Sequence, residues 1–166
     1  MARAAGFVHL AAATGSTSEA AVRRLLDLPE GALIDMGDFV GGTLKYLRRH
    51  PVPRLTLAGG FAKIAKLAAG HLDLHSRESQ VDAARLAAEL GGLGCPAAIV
   101  EAARRATSAG AILELADSAG GNFRTRLAER VALDARAVAL ATLAGGVAVD
   151  VAVFDRHGTL LGRAGP

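Results

Sequence analysis

Short apolar runs alternate with helical patterns over the first 70 residues of the chain. Three runs have the length and composition of buried strands, at residues 6–13, 32–36 and 54–58. Each is followed by a loop of small or polar residues and then by helically spaced apolar positions, at residues 20–28, 40–49 and 61–69. A repeated order of strand, loop and helix predicts a parallel sheet with crossover helices.

The rest of the chain changes character. Alanine-rich helical patterns separated by glycines occupy residues 80–90, 96–108, 111–119 and 124–143. Alternating β-branched residues then predict a strand over 147–154, a turn at 155–158 and a returning strand at 159–162. The prediction is one α/β domain spanning residues 1–166, with a short parallel sheet and crossover helices (Rossmann-like), followed by a helical segment and a C-terminal β-hairpin.

Composition limits the class of partner. Half of the residues are hydrophobic, which is enough for a buried core, and the net charge is +3 with few aromatic residues. This mild basic excess suits an anionic small molecule, whereas scattered arginines without stacking aromatics argue against nucleic acid. The single Cys95 excludes an internal disulfide and favours a reducing cytoplasm. No apolar run is long enough to cross a bilayer, so we expect a cytoplasmic protein without a membrane partner.

Small and polar residues follow all three predicted strands. In an open parallel sheet, ligands bind beyond the carboxyl ends of the strands, and glycines there let a ligand approach the backbone. Each loop alone is better explained as an ordinary turn or helix cap, and Asp38 could equally well cap the helix that follows it or accept hydrogen bonds from a ribose or an ammonium group. Their common edge nevertheless makes the following residues candidates for cofactor binding: Thr14, Gly15, Ser16, Thr17, Gly37, Asp38, Gly41, Gly59 and Gly60.

Further candidates lie in and after the third helix. Lys63 and Lys66 are three residues apart and share a helix face, so they could bind an anion or simply be the polar positions of an amphipathic helix. Asp38, His71 and His75 are the candidates for catalysis, with the histidines as proton carriers. Because no third ligand stands near the two histidines, no protein metal site is predicted.

Three motifs together resemble one enzyme family. They are ATGSTSE at 13–19, DMGDFVGGTLKY at 35–46, and GGFAKIAKLAAG at 59–70 running on to His75-Ser76. In this order and spacing the chain resembles the cobalt-precorrin-5B C(1)-methyltransferases from about residue 6 to residue 163. The third motif is the most specific of the set.

The resemblance implies methyl transfer from S-adenosylmethionine to C(1) of a cobalt-precorrin tetrapyrrole in anaerobic-type cobalamin biosynthesis. The carboxylates of that substrate suit Lys63, Lys66, His75 and Ser76 as binding residues, and cobalt would belong to the substrate. Leu74 stands where many family members carry threonine.

Family members are longer, with an N-terminal domain. The resemblance therefore implies a C-terminal domain of a two-domain enzyme, which would require that N-terminal half or associate as a homo-oligomer.

Two other interpretations remain at this stage. One is a non-catalytic half-protein that binds a tetrapyrrole or a partner chain. The other is a nucleotide-binding, Rossmann-like oxidoreductase, which is weakened because Gly15 stands alone where a Gly-x-Gly-x-x-Gly motif would be expected.

Overall fold

The computed structural model describes residues 6–75 and 80–166. The strands in the described residues are β1 (His9–Ala13), β2 (Leu33–Asp35), β3 (Arg54–Gly60), β4 (Ala148–Phe154) and β5 (Leu160–Ala164). The helices are α1 (Ser16–Leu26), α2 (Val40–Arg49), α3 (Phe61–Ala68), α4 (Ala83–Gly92), α5 (Ala97–Arg104), α6 (Ala109–Ser118) and α7 (Phe123–Leu143). Within the described residues, no helix is both long and apolar enough to span a membrane.

The strands form one sheet in the order β2-β1-β3-β4-β5. Strands β1 to β4 are parallel, and β5 is antiparallel to β4. The connection from β1 to β2 therefore runs toward one edge of the sheet. The connection from β2 to β3 runs back past β1 toward the other edge. Right-handed crossovers then require α1 and α2 to lie on opposite faces, and the switch between the two directions falls between β1 and β3.

Small side chains bring α1 close to its face of the sheet. Ala11, Ala13, Ala58 and Ala152 are buried there against the apolar side of α1. An alanine surface lets a helix approach a sheet more closely than branched side chains would, so van der Waals contact compensates for the small apolar area of each residue.

The main core lies on the opposite face. Buried leucines and valines of β1, β3 and β4 pack there against α2, α3 and the long helix α7. Helices α4, α5 and α6 pack on one another, and α4 and α6 also pack against α7. Leu57, Ile64 and Leu127 are fully buried in this core, which holds α3 and α7 in place over the sheet.

The predicted C-terminal hairpin is confirmed, and the structure shows where its two strands lie in the sheet. β4 pairs in parallel with β3 over all seven residues, so it is the fourth parallel strand of the sheet. The following turn is held by Asp155, whose Oδ1 accepts hydrogen bonds from the backbone N–H groups of His157 at 2.8 Å and Thr159 at 2.9 Å. The predicted α/β class with a parallel sheet is thereby confirmed.

Charged residues occupy the amino-terminal half of the α1 face. Asp150 is almost fully buried, and Arg54 donates to it from Nε at 2.6 Å and from a terminal nitrogen at 3.0 Å. Thr56 lies 3.4 Å from the same carboxylate and 2.8 Å from Nε2 of His9, and Arg163 approaches to 3.6 Å. These contacts tie β1, β3, β4 and β5 together at the end of the sheet opposite the candidate loops.

Candidate functional site

The three loops predicted to bind a ligand meet at one edge of the sheet. The N–H of Thr14 donates to the carbonyl of Ala58 at 3.0 Å, and the N–H of Met36 donates to the carbonyl of Ala13 at 3.0 Å. These bonds continue the strand pairing past the end of β1. The loops after β1, β2 and β3 are therefore neighbours at the carboxyl edge, where doubly wound sheets bind their ligands.

A cleft of about 680 Å³ opens at this edge, beside β3 and β4. The first turns of α1, α3, α6 and α7 border it, together with the turn between β4 and β5. Its lining residues are Thr17, Ser18, Gly60, Phe61, Ala62, Lys63, Ala109, Gly110, Leu113, Glu114, Arg124, Phe154, Asp155, Arg156 and His157.

Three of the four helices that begin at the cleft lack a side-chain cap. The N-cap residues Gly15, Gly60 and Asn122 make no capping hydrogen bond, whereas Ser108 caps α6 by accepting from the N–H of Ala111 at 3.1 Å. The first N–H groups of a helix have no partner within the helix and carry partial positive charge. The cleft consequently presents the positive ends of α1, α3 and α7 to any ligand that enters it.

Of the predicted cofactor-binding residues, Thr17 and Gly60 line the cleft. A side chain at Gly60 would point into open space, so the backbone there is accessible. The other predicted positions are not among the lining residues: Thr14, Gly15, Ser16, Gly37, Asp38, Gly41 and Gly59.

Two of these glycines have a packing reason for their identity. A Cβ at Gly59 would come within 2.9 Å of Oγ1 of Thr14 and 2.8 Å of Ile64. A Cβ at Gly41 would come within 2.8 Å of Leu72. The small size of Gly59 therefore allows β3 to pack closely against α3 and Thr14, and that of Gly41 allows α2 to pack against the segment that follows α3.

Asp38 and the two lysines form one cluster with the backbone of Leu74. Nζ of Lys63 donates to Oδ1 of Asp38 at 2.5 Å, and it also approaches the carbonyl of Leu74 at 3.3 Å. Nζ of Lys66 donates to the same carbonyl at 3.0 Å. The N–H of Leu74 in turn donates to the carbonyl of Asp38 at 2.9 Å. The lysines thus fix the chain after α3 against the start of α2.

The two lysines differ in their access to a ligand. Lys63 is partly exposed and lines the cleft, whereas Lys66 is 6% exposed and does not line it. Burial lowers the pKa of Lys66, and the nearby charge of Lys63 lowers it further, against the opposing effect of Asp38. The structure therefore places Lys63 at the cleft and Lys66 in a buried contact with the backbone.

The two histidine candidates lie outside the cleft lining. The N–H of His71 donates to the carbonyl of Lys66 at 3.1 Å, and the N–H of His75 donates to Oδ1 of Asp73 at 3.0 Å. Residues 71–75 are not helical, so the two imidazoles do not share a helix face. The predicted substrate-binding residue Ser76 lies outside the described residues. In residues 6–75 and 80–166, no group of three metal-binding side chains comes together.

Sequence reasoning missed the far wall of the cleft, which Glu114, Arg124, Asp155, Arg156 and His157 form. Two signals were present in the sequence. The turn at 155–158 follows a strand, and Arg124 begins a long helix where an acidic residue would normally be expected. Neither signal could be used before the position of β4 in the sheet was known.

Asp155 stabilises the turn that forms part of this wall. Burial raises the pKa of its carboxyl group, but hydrogen bonds from the backbone N–H groups of Thr159 and His157 outweigh burial, and the net pKa is lowered. The carboxylate stays ionised and keeps the turn closed. Arg156 and His157 of this turn are exposed at the mouth of the cleft, with Nε of Arg156 3.1 Å from Nε2 of His157.

The strand order defines a class of protein, the doubly wound α/β domain. No solved structure matches the chain at a significant level. A protein-family model described as "CbiD, C-terminal domain" matches residues 73–165, which is more than half of the chain. The chain belongs to this family.

Curated relatives cover almost the whole chain. A protein of Paramagnetospirillum magneticum is 53% identical over 165 residues, which is 99% of this chain and 44% of the relative. A Bradyrhizobium protein is 54% identical over 166 residues, 98% of this chain and 43% of the relative. A Rhodospirillum rubrum protein is 51% identical over 166 residues, 99% of this chain and 45% of the relative. All three are named cobalt-precorrin-5B C(1)-methyltransferase, which confirms the family indicated by the sequence motifs. The chain spans less than half the length of these relatives.

Proposed function

We propose that this chain takes part in the S-adenosylmethionine-dependent methylation of C(1) of cobalt-precorrin-5B in cobalamin biosynthesis. The observation that carries the proposal is the more than 50% identity to enzymes of that name, over nearly all of this chain. The aligned span of 164 to 166 residues covers the segments that form the cleft. We further propose that residues 1–166 correspond to the C-terminal domain of a longer cytoplasmic enzyme.

The residues of the cleft fit the methyl donor. Gly60 offers open backbone, and the carboxylates of Glu114 and Asp155 are acceptors for ribose hydroxyls or for an ammonium group. The uncapped starts of α1 and α3 supply N–H donors on the opposite side. This combination of acceptors, donors and accessible backbone suits a ligand that carries both positive and negative groups.

The reaction needs no nucleophile from the protein. The donor supplies an electrophilic sulfonium methyl group, the electron pair of the new bond comes from C(1) of the tetrapyrrole, and sulfur leaves with the pair of the broken C–S bond as S-adenosylhomocysteine. The role of the cleft is to hold the two reacting carbons in line, which contributes more to the rate than any single side chain. Cationic side chains and helix starts stabilise the anionic periphery of the substrate.

Isotope transfer tests the proposal. The chain is incubated with methyl-labelled S-adenosylmethionine and cobalt-precorrin-5B, alone and with the remaining part of a full-length relative supplied. We expect calorimetric binding of S-adenosylmethionine by the chain, and label in the tetrapyrrole when the remaining part is present. Binding of NAD in place of S-adenosylmethionine would contradict the proposal.

A matched pair of glycine variants tests whether S-adenosylmethionine binds in the cleft. Gly60→Leu places a large side chain in the open space of the cleft, and Gly42→Leu places the same side chain on the exposed face of α2. We expect Gly60→Leu to lower the affinity for S-adenosylmethionine at least tenfold, with Gly42→Leu unchanged. Equal affinities would move the donor site away from this cleft.

A further inference from the structure

Arg124 has hydrogen-bond donors without acceptors inside the cleft. Its Nε is buried and has no hydrogen-bond partner in the described part of the chain. Its terminal nitrogens lie 3.9 Å from Oδ2 of Asp117 and 3.9 Å from Oδ2 of Asp155, beyond hydrogen-bonding distance. The two carboxylates balance the charge of the guanidinium but accept none of its hydrogen bonds. A buried donor without an acceptor, as Nε is within the described residues, is costly.

Neither Asp117 nor Asp155 accepts a hydrogen bond from Arg124. Asp155 already accepts the N–H groups of His157 and Thr159, which hold its carboxylate in the turn. Asp117 lies near the end of α6 and is largely exposed. The guanidinium is thus held between two acids without a direct bond to either.

The helix start around Arg124 also favours an anion. Arg124 lies in the first turn of the 21-residue helix α7, which has no acidic residue in that turn and no side-chain cap at Asn122. Arg126 adds a second cation one half-turn later. Positive charge at a helix N-terminus is unfavourable, and a bound anion would reverse this. The starts of α1 and α3 and the ammonium of Lys63 face the same cleft.

We propose that Arg124 is a carboxylate-binding residue of the cleft. The planar guanidinium presents parallel N–H groups that match a carboxylate in a bidentate arrangement, and its two terminal nitrogens, which lie 3.9 Å from Asp117 and Asp155, are the donors for it. Two sources offer this chemistry: the amino-acid carboxylate of the methyl donor and a side-chain carboxylate of the tetrapyrrole. The choice between these sources rests on the proposed function, whereas the carboxylate site itself does not.

The first experiment observes Arg124 directly. The arginine Nε–Hε resonances of the 15N-labelled chain are followed during titration with succinate, and the Arg124 signal is the one that Arg124→Gln removes. We expect a saturable shift of this signal with succinate and none with the uncharged succinamide. Arg126→Gln removes a charge from the same turn of α7 and should leave the shift in place. An Arg124 signal that does not respond to succinate would overturn the proposal.

The second experiment identifies the source of the carboxylate. Dissociation constants are measured for S-adenosylhomocysteine and for an octacarboxylic porphyrin, each with wild type, Arg124→Gln and Arg126→Gln. We expect Arg124→Gln to weaken one of the two ligands about tenfold, equivalent to roughly 1.4 kcal/mol, and Arg126→Gln to change both less than twofold. Arg124→Lys should recover only part of the loss, because it restores the charge but not the planar fork.

The outcomes separate this proposal from the proposed function. Weaker S-adenosylhomocysteine binding assigns Arg124 to the donor, and weaker porphyrin binding assigns it to the substrate. A response to succinate with neither ligand bound by the wild type would keep the carboxylate site and contradict the proposed function. Binding of both ligands that is unchanged by Arg124→Gln, together with a silent Arg124 signal, would refute the carboxylate site and leave the proposed function intact.

Discussion

Nζ of Lys63 lies 2.5 Å from Oδ1 of Asp38, which joins the first turn of α3 to the loop between β2 and α2. The two residues are 25 positions apart in the sequence and meet because β2 and β3, which precede them, both pair with β1. Their contact converts two candidate ligand-binding groups into an ion pair that borders the cleft. Lys63 lines that cleft, and Asp38 contacts the ammonium group of Lys63 without lining the cleft itself.

The two lysines are expected to respond differently to substitution. Lys63→Met removes a cation from the cleft and leaves the Asp38 carboxylate unpaired, so we expect affinity for an octacarboxylic porphyrin to fall about tenfold, the loss typical of one charged hydrogen bond. Lys66→Met removes an ammonium that contacts only buried backbone, and affinity should change less than twofold. Fluorescence titration measures both. A larger loss in Lys66→Met than in Lys63→Met would show that the buried lysine reaches the ligand.

Gly162 is expected to be the most sensitive glycine for stability. A Cβ at this position would lie 2.6 Å from the backbone nitrogen of Glu129 and 2.7 Å from the backbone carbon of Ala128, because β5 packs directly on α7. Backbone of a long helix cannot move aside cheaply, so Gly162→Ala should lower the free energy of unfolding by about 3 kcal/mol.

The matched control for this variant is Gly42→Ala on α2, where a Cβ meets no atom within 4 Å. It should raise the free energy of unfolding by about 0.5–1 kcal/mol through helix propensity. Urea unfolding of both variants measures the difference, and two variants of equal stability would contradict the close approach of β5 to α7.

Acidification is expected to destabilise the fold through His9. Burial lowers the pKa of His9, and the neighbouring Arg54 and Arg163 lower it further, against the opposing effect of Asp150. Because the folded-state pKa is below the unfolded value of 6.5, the unfolded chain binds more protons in this window. The free energy of unfolding should therefore be highest above pH 6.5 and fall as the pH drops toward the folded-state pKa.

His9→Gln tests this dependence while keeping a side chain able to hydrogen-bond Thr56. Between about pH 7.5 and pH 5, the variant should lose less stability than the wild type in urea unfolding. His71→Gln changes a histidine outside this cluster and serves as the control. An unchanged pH dependence in His9→Gln would assign the effect to other groups. Asp150 affects the free energy of unfolding only at lower pH. Burial raises the pKa of its carboxyl group, but Arg54 and the other nearby cations outweigh burial and lower this pKa below 3.8.

Local sequence patterns determined the elements and the family of this chain. Apolar runs bounded by glycine and proline predicted the first three strands, and hydrophobic periodicity predicted the helices to within a few residues. The boundaries differ where local geometry intervenes. The first strand was expected from residue 6, but Gly6 has a φ of 77° and the strand begins at His9. Signals of this kind depend on neighbours in the sequence, so they can be identified without the fold.

Only the tertiary structure decided which of the candidate residues share a site. The sequence offered Asp38, Lys63 and Lys66 only as separate binding candidates, and folding brought them into one cluster with three different contacts: a cation at the cleft, its carboxylate partner and a buried ammonium on the backbone. It also brought Arg124 and the turn after β4 to the cleft, because β4 pairs with β3 although residues 61–147 separate the two strands. Strand order and burial are set by contacts between distant segments, and no local pattern encodes them.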